Sequence, residues 1–110
     1  MLKINVPDTP NSIVPVTLGG LSYQFKFYYI SRIKNPSYYL DIYYNNQKVV
    51  TGLKMVEGVP LLKKYALLDF DHGELVVFKM KQTDEPLGRD NFGNGKAYEL
   101  LYVSREELNG

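Results

Sequence analysis

The sequence predicts a mainly β domain: a small antiparallel β-barrel or sandwich of about seven or eight strands, with one short helix near residues 60–65. Three observations carry that prediction. Apolar and polar residues alternate through most of the chain, the period of a strand with one buried face. Short glycine-, asparagine- and proline-containing stretches interrupt the alternation where antiparallel strands would turn back. The alternation fails in one place, Thr51 to His72, where apolar residues bunch around Pro60-Leu61-Leu62-Lys63-Lys64-Tyr65. Proline suits a first helical position, and Leu61, Leu62 and Tyr65 then share one side with Lys63 and Lys64 leaning out.

Taken in order, Leu2 to Val6 alternates as a short strand that Pro7 ends. Asp8 to Ser12 has loop composition. Ile13 to Leu18 is a second strand, confined by Pro15 to an edge or a bulge, because proline donates nothing to a ladder. Gly19-Gly20 makes a hairpin turn into Leu21 to Ile30, whose odd positions Leu21, Tyr23, Phe25, Phe27 and Tyr29 form the core face. After a polar loop from Ser31 to Ser37, Tyr38 to Tyr44 sets Tyr38, Leu40, Ile42 and Tyr44 on one face and Tyr39, Asp41 and Tyr43 on the other. Asn45-Asn46 is a tight turn, since asparagine tolerates the left-handed region. Gln47 to Met55 is extended, with Gly52 as a bulge. Beyond the helical turn, Ala66 to Phe70 reads as a short strand and Asp71-His72-Gly73 as a turn. Glu74 to Met80 is apolar on both faces, as a central strand would be. Residues 82–96 form a long polar loop of a length usually functional or mobile. Tyr98 to Val103 is the last strand. Ser104 to Glu107 has capping-box spacing in a short tail, 104–110.

The bulk composition narrows the function classes. A chain of 110 residues fits one domain, 1–110, and 45% hydrophobic with 23% charged residues makes it globular. With no cysteine, thiolate catalysis, disulfides and cysteine-bound zinc are excluded. A net charge of +1 lacks the basic excess of an electrostatic nucleic-acid binder. No apolar run reaches the roughly 20 residues of a membrane span, and the N-terminus lacks the apolar region of a secretory signal, so a soluble, unprocessed protein is expected.

Candidate chemistry is sparse. His72 is the only histidine; Asp69, Asp71 and His72 lie close enough in sequence to suggest a metal site, but Asp71-His72-Gly73 reads as a turn before a strand. No Gly-x-Ser-x-Gly elbow is present. Gly93-Asn94-Gly95-Lys96 lacks the earlier glycine and the following Ser or Thr of a phosphate loop. The expectation is therefore no enzyme, no catalytic residue, no cofactor and no metal. The ten tyrosines, with no tryptophan, are more informative. Tyr28, Tyr39 and Tyr43 fall on strand faces whose other members are polar, such as Lys26 and Asp41. Such tyrosines are either plain β-formers with solvated hydroxyls, an interface for another protein, or stacking platforms for single-stranded nucleic acid.

Several pieces recur in one order in a known family. They are Thr17-Leu18-Gly19-Gly20 followed by Tyr23; Leu40-Asp41-Ile42-Tyr43 before a tight turn; Val50-Thr51-Gly52-Leu53; and Val56-x-Gly58-Val59 leading into Leu61-Leu62-x-x-Tyr65. Gly73-x-Leu75-x-Val77 and Asp90-Asn91-Phe92-Gly93, ahead of the closing strand, complete the set. Over residues 13 to 104 the chain resembles the small baseplate plug proteins of contractile-tailed bacteriophages. Phe27, Tyr28 and Tyr38 stand where members commonly have tryptophans, and Pro60 where a capping Asp or Asn is common.

The resemblance implies a structural protein of the virion, located in the tail baseplate and made in the host bacterial cytoplasm. It implies packing against hub and tube-initiator proteins near the tail axis, with wedge proteins as further neighbours and multiple copies per baseplate. No membrane or nucleic-acid partner is expected. On that basis Tyr28, Tyr39, Tyr43, Arg89 and Phe92 are the candidate protein-interface residues. The alternative is a small β-barrel binding module for single-stranded nucleic acid or a small ligand.

Overall fold

A computed structural model describes residues 2–7, 11–18, 20–32, 34, 36–62, 73–104 and 107. Among them the alternating stretches become seven strands: β1 (Leu2–Lys3), β2 (Ser12–Leu18), β3 (Leu21–Ile30), β4 (Ser37–Tyr44), β5 (Gln47–Lys54), β6 (Glu74–Lys79) and β7 (Tyr98–Val103). They form two antiparallel sheets, a four-stranded one in the order β2-β3-β4-β5 and a three-stranded one in the order β1-β7-β6. The two sheets do not close on each other, so of the two predicted architectures the fold is sandwich-like rather than a barrel.

Period-two alternation explains which faces meet. Tyr23, Phe25 and Phe27 of β3 and Tyr38, Leu40 and Ile42 of β4 point inward, and Leu75, Val77, Tyr98, Leu100 and Tyr102 of the smaller sheet oppose them in one core. The aromatic rings pack edge-on or tilted, as their quadrupoles favour, with Phe25 and Phe27 at 6.2 Å and Tyr29 and Tyr38 at 5.1 Å between centroids.

Local chemistry sets the turns and edges. Asn45 and Asn46 both take positive φ, 50° and 64°, giving the tight turn between β4 and β5 that matches strand twist. Pro15 does lie on an edge strand, β2, opposite Gln24. The β2–β3 register, with Leu18 opposite Leu21, points the backbone groups of Ile13, Pro15 and Thr17 to the free side. Gly52 sits at φ 63° in the expected bulge: Leu40 pairs with Leu53 and Ile42 with Val50, so Thr51 and Gly52 together oppose Asp41.

Two expectations need correction. Pro60, Leu61 and Leu62 form a bend, not a helix; residues 63–65, like the strand and turn expected at 66–72, lie outside the described residues. This segment runs along the outer edge of β6, with the Gly58 and Leu61 N–H groups donating to the carbonyls of Val77 and Leu75. The buried Glu74 carboxylate accepts the Leu62 and Leu75 N–H groups there, satisfying the backbone without a helical turn. Second, β6 is not the central strand. Its Val76 and Phe78 are only half-buried, whereas every residue of β7 is buried, because β7 lies between β1 and β6.

Residues 82–96 contain no strand or helix, in keeping with a long loop, but they also carry a core residue. Phe92 is fully buried at 0% exposure, 5.2 Å from the Tyr38 ring and 6.5 Å from the Phe27 ring. The loop is tied to its surroundings by Tyr98 O–H donating to the Glu85 carbonyl at 2.8 Å and Asn91 Nδ2 to the Pro86 carbonyl at 2.9 Å. Asn94 Oδ1 accepts the Val6 N–H at 3.1 Å. In the tail, the capping-box spacing is realised: Ser104 N–H donates to Glu107 Oε1 at 3.0 Å, and Glu107 N–H to Ser104 Oγ at 3.3 Å.

Candidate protein interface

The outward face of the four-stranded sheet is built by the residues that alternate with the core set. In register across the strands, Tyr28 opposes Tyr39, Lys26 opposes Asp41, and Gln24 opposes Tyr43, while on β5 Lys54 opposes Tyr39 and Lys48 opposes Tyr43. Three of the five candidate residues, Tyr28, Tyr39 and Tyr43, therefore share one face, each half-buried.

Their rings are fixed by neighbours. Tyr28 and Tyr39 stack across the strands at 5.9 Å and 21° between planes. The Lys48 ammonium lies 5.6 Å from the Tyr43 ring centre, a cation–π arrangement. Beneath them is Asp41, 5% exposed although it is on the outward side. Its Oδ1 accepts the Gly52 N–H at 2.7 Å and the Tyr28 hydroxyl at 3.0 Å, and its Oδ2 lies 3.4 Å from Lys48 Nζ.

A buried carboxylate costs free energy unless it is paired and hydrogen-bonded, and this one has both. The bulge makes that possible: the extra residue in β5 turns the Gly52 N–H out of the ladder and toward Asp41. Burial first, and then the bond to Asp41, push the Tyr28 hydroxyl up to about 12. It therefore remains a donor throughout the physiological range. The same carboxylate raises the Lys48 ammonium above its usual value.

The other two candidates are elsewhere. Phe92 belongs to the core and presents no side-chain surface. Arg89 lies against inward-facing Tyr38: its carbonyl accepts the Tyr38 hydroxyl at 3.1 Å, and its Nη1 donates back to that oxygen at 3.3 Å. It also reaches Asp90 Oδ1 at 4.0 Å.

Asp41, Lys48 and Gly52 are the members of the site that alternation alone does not single out. The available signal was one acid between two tyrosines, in register with a glycine that breaks the next strand.

The sequence matches the family described as "Cyanophage baseplate Pam3 plug gp18" over residues 1–106. The chain belongs to that family. It is a family of structural baseplate proteins, not of enzymes, so the outward tyrosine face is to be read as a surface of a plug-family protein. No curated protein matches the chain.

Proposed function

We propose that this plug-family protein is a structural component of a phage tail baseplate, seated near the tail axis. There it packs against hub and tube-initiator proteins, and possession of several copies per baseplate would surround that axis. The single observation that carries the reading is the family match across nearly the whole chain. Tyr28, Tyr39 and Tyr43 are the residues we assign to contact with those neighbours, with Arg89 as an outlying contact beside the long loop. Rigid, half-buried tyrosines suit that work because little conformational freedom is lost when they are covered.

The test is assembly. In the double variant Tyr39→Ala, Tyr43→Ala, unfolding free energy should change by about 1 kcal/mol or less per lost cross-strand pair. Its amount in purified tails, quantified by mass spectrometry against a core baseplate protein, should drop at least tenfold. Wild-type incorporation of a folded double variant would remove these tyrosines from the interface.

A further inference from the structure

Charge is segregated along this chain. Between residues 12 and 54, the span of the four-stranded sheet, there are five basic residues (Lys26, Arg32, Lys34, Lys48 and Lys54) and one acid, Asp41, although the whole chain has 13 basic residues against 12 acidic ones. That one acid is withdrawn from the surface and bonded to Lys48, Tyr28 and the bulge N–H. Lys54 is exposed beside Tyr39, Lys48 beside Tyr43, and Arg32 and Lys34 lie exposed on the connection from β3 to β4. Among the described residues, neither Lys26 nor Lys54 has a carboxylate partner.

Resting on the baseplate reading, we infer that the four-stranded face receives an acidic surface of a different baseplate protein. That surface carries Asp or Glu side chains flanking a flat apolar strip that lies along the Tyr28–Tyr39 pair. The layout is an aromatic centre with a charged rim, as interfaces are generally built. Uncompensated rim lysines select a partner of opposite sign and speed its encounter.

Two other occupants fit less well. A base stacking on this face would find one face of each ring already taken, Tyr28 and Tyr39 by each other and Tyr43 by Lys48. A second copy would have to offer an acidic strip, but among the described residues its exposed acids are scattered: Glu57 beside β6, Asp84, Glu85 and Asp90 in a loop that also carries Lys81 and Arg89, and Glu107 in the tail.

Zero-length carbodiimide coupling on purified tails tests this directly, since it joins a lysine only to a carboxylate in ion-pair reach. Isopeptide links from Lys26, Lys48 or Lys54 to Asp or Glu of another baseplate protein are expected. Acetylation of Lys26 and Lys54 should be at least tenfold slower in tails than in the free protein, and Lys54→Glu should lower incorporation at least tenfold without changing thermal stability. Links that run only to a second copy of this chain, or Tyr39 photo-crosslinking to DNA, would overturn the inference. So would equal acetylation rates in tails and free protein. Absence of the protein from tails would instead remove the baseplate reading and the inference with it.

Discussion

The two faces of the four-stranded sheet are both tyrosine-rich, yet the rings do different work on each. On the inward face Tyr23, Tyr38 and Tyr29 join Phe25 and Phe27 in ring-on-ring contacts, and the tip of Tyr38 reaches a polar partner, Arg89 at the margin of the core. On the outward face Tyr28, Tyr39 and Tyr43 are held by a carboxylate, an ammonium and one another. The difference lies in register, not residue type. A tyrosine in step with Phe25 buries its ring in the core; one residue out of step, its ring is half-buried and is held from the polar side. Asp41 is the anchor there, and it is the reason the outward rings are fixed rather than merely solvated.

This contrast can be broken at graded cost. The largest effect is expected on the inward side, from Phe92→Ala, which empties a fully buried ring position against Tyr38 and Phe27. Loss of a buried phenylalanine costs about 3–5 kcal/mol, read by urea unfolding. A loss below about 1 kcal/mol would show that the long loop is no part of the core.

Asp41→Ala comes next. It strands the Gly52 N–H and the Tyr28 hydroxyl, each left without its acceptor, and an unsatisfied buried polar group costs about 1–3 kcal/mol. The same unfolding titration measures it, and a neutral substitution would mean that the outward rings are fixed by stacking alone.

The smallest effect is a pH dependence. The Tyr28 pKa is raised from 10.0 to about 12 by burial and then by its bond to Asp41, so the folded state favours the protonated hydroxyl. Its stabilisation is complete below pH 10 and is lost as pH rises through about 12. The melting temperature of the native chain should therefore fall more steeply over that window than that of Tyr28→Phe. Parallel slopes would show that the hydroxyl is not held.

Much of the sandwich is legible in the sequence because each strand states its own burial. Leu21–Ile30 follows from alternation, Tyr98–Val103 from its apolar content after a glycine-rich loop, the edge position of β2 from Pro15, and the bulge from Gly52. What is illegible depends on distant partners. Glu74 to Met80 has the apolar content of a central strand, yet β7 holds the centre because β1, from the far N-terminal part of the sequence, pairs with its other side. Phe92 has no periodic neighbours in a polar loop, so nothing local marks it as core. For the candidate site, the grouping of Tyr28, Tyr39 and Tyr43 is readable from parity, whereas the burial of Asp41 requires knowing that β5 bulges opposite it.

The bulge and Pro15 carry one further consequence. Each sheet margin is closed to another strand by its own means: β2 lacks a donor at Pro15, β5 is kinked at Gly52, β1 is two residues long, and β6 is covered by the Glu57–Leu61 segment. Open margins invite runaway polymerisation wherever identical chains accumulate, and these devices suppress it. A protein so protected can be stockpiled as free subunits and still associate through its faces. Under the proposed face contact, its assembly is governed by the partner it meets rather than by how much of it has been made.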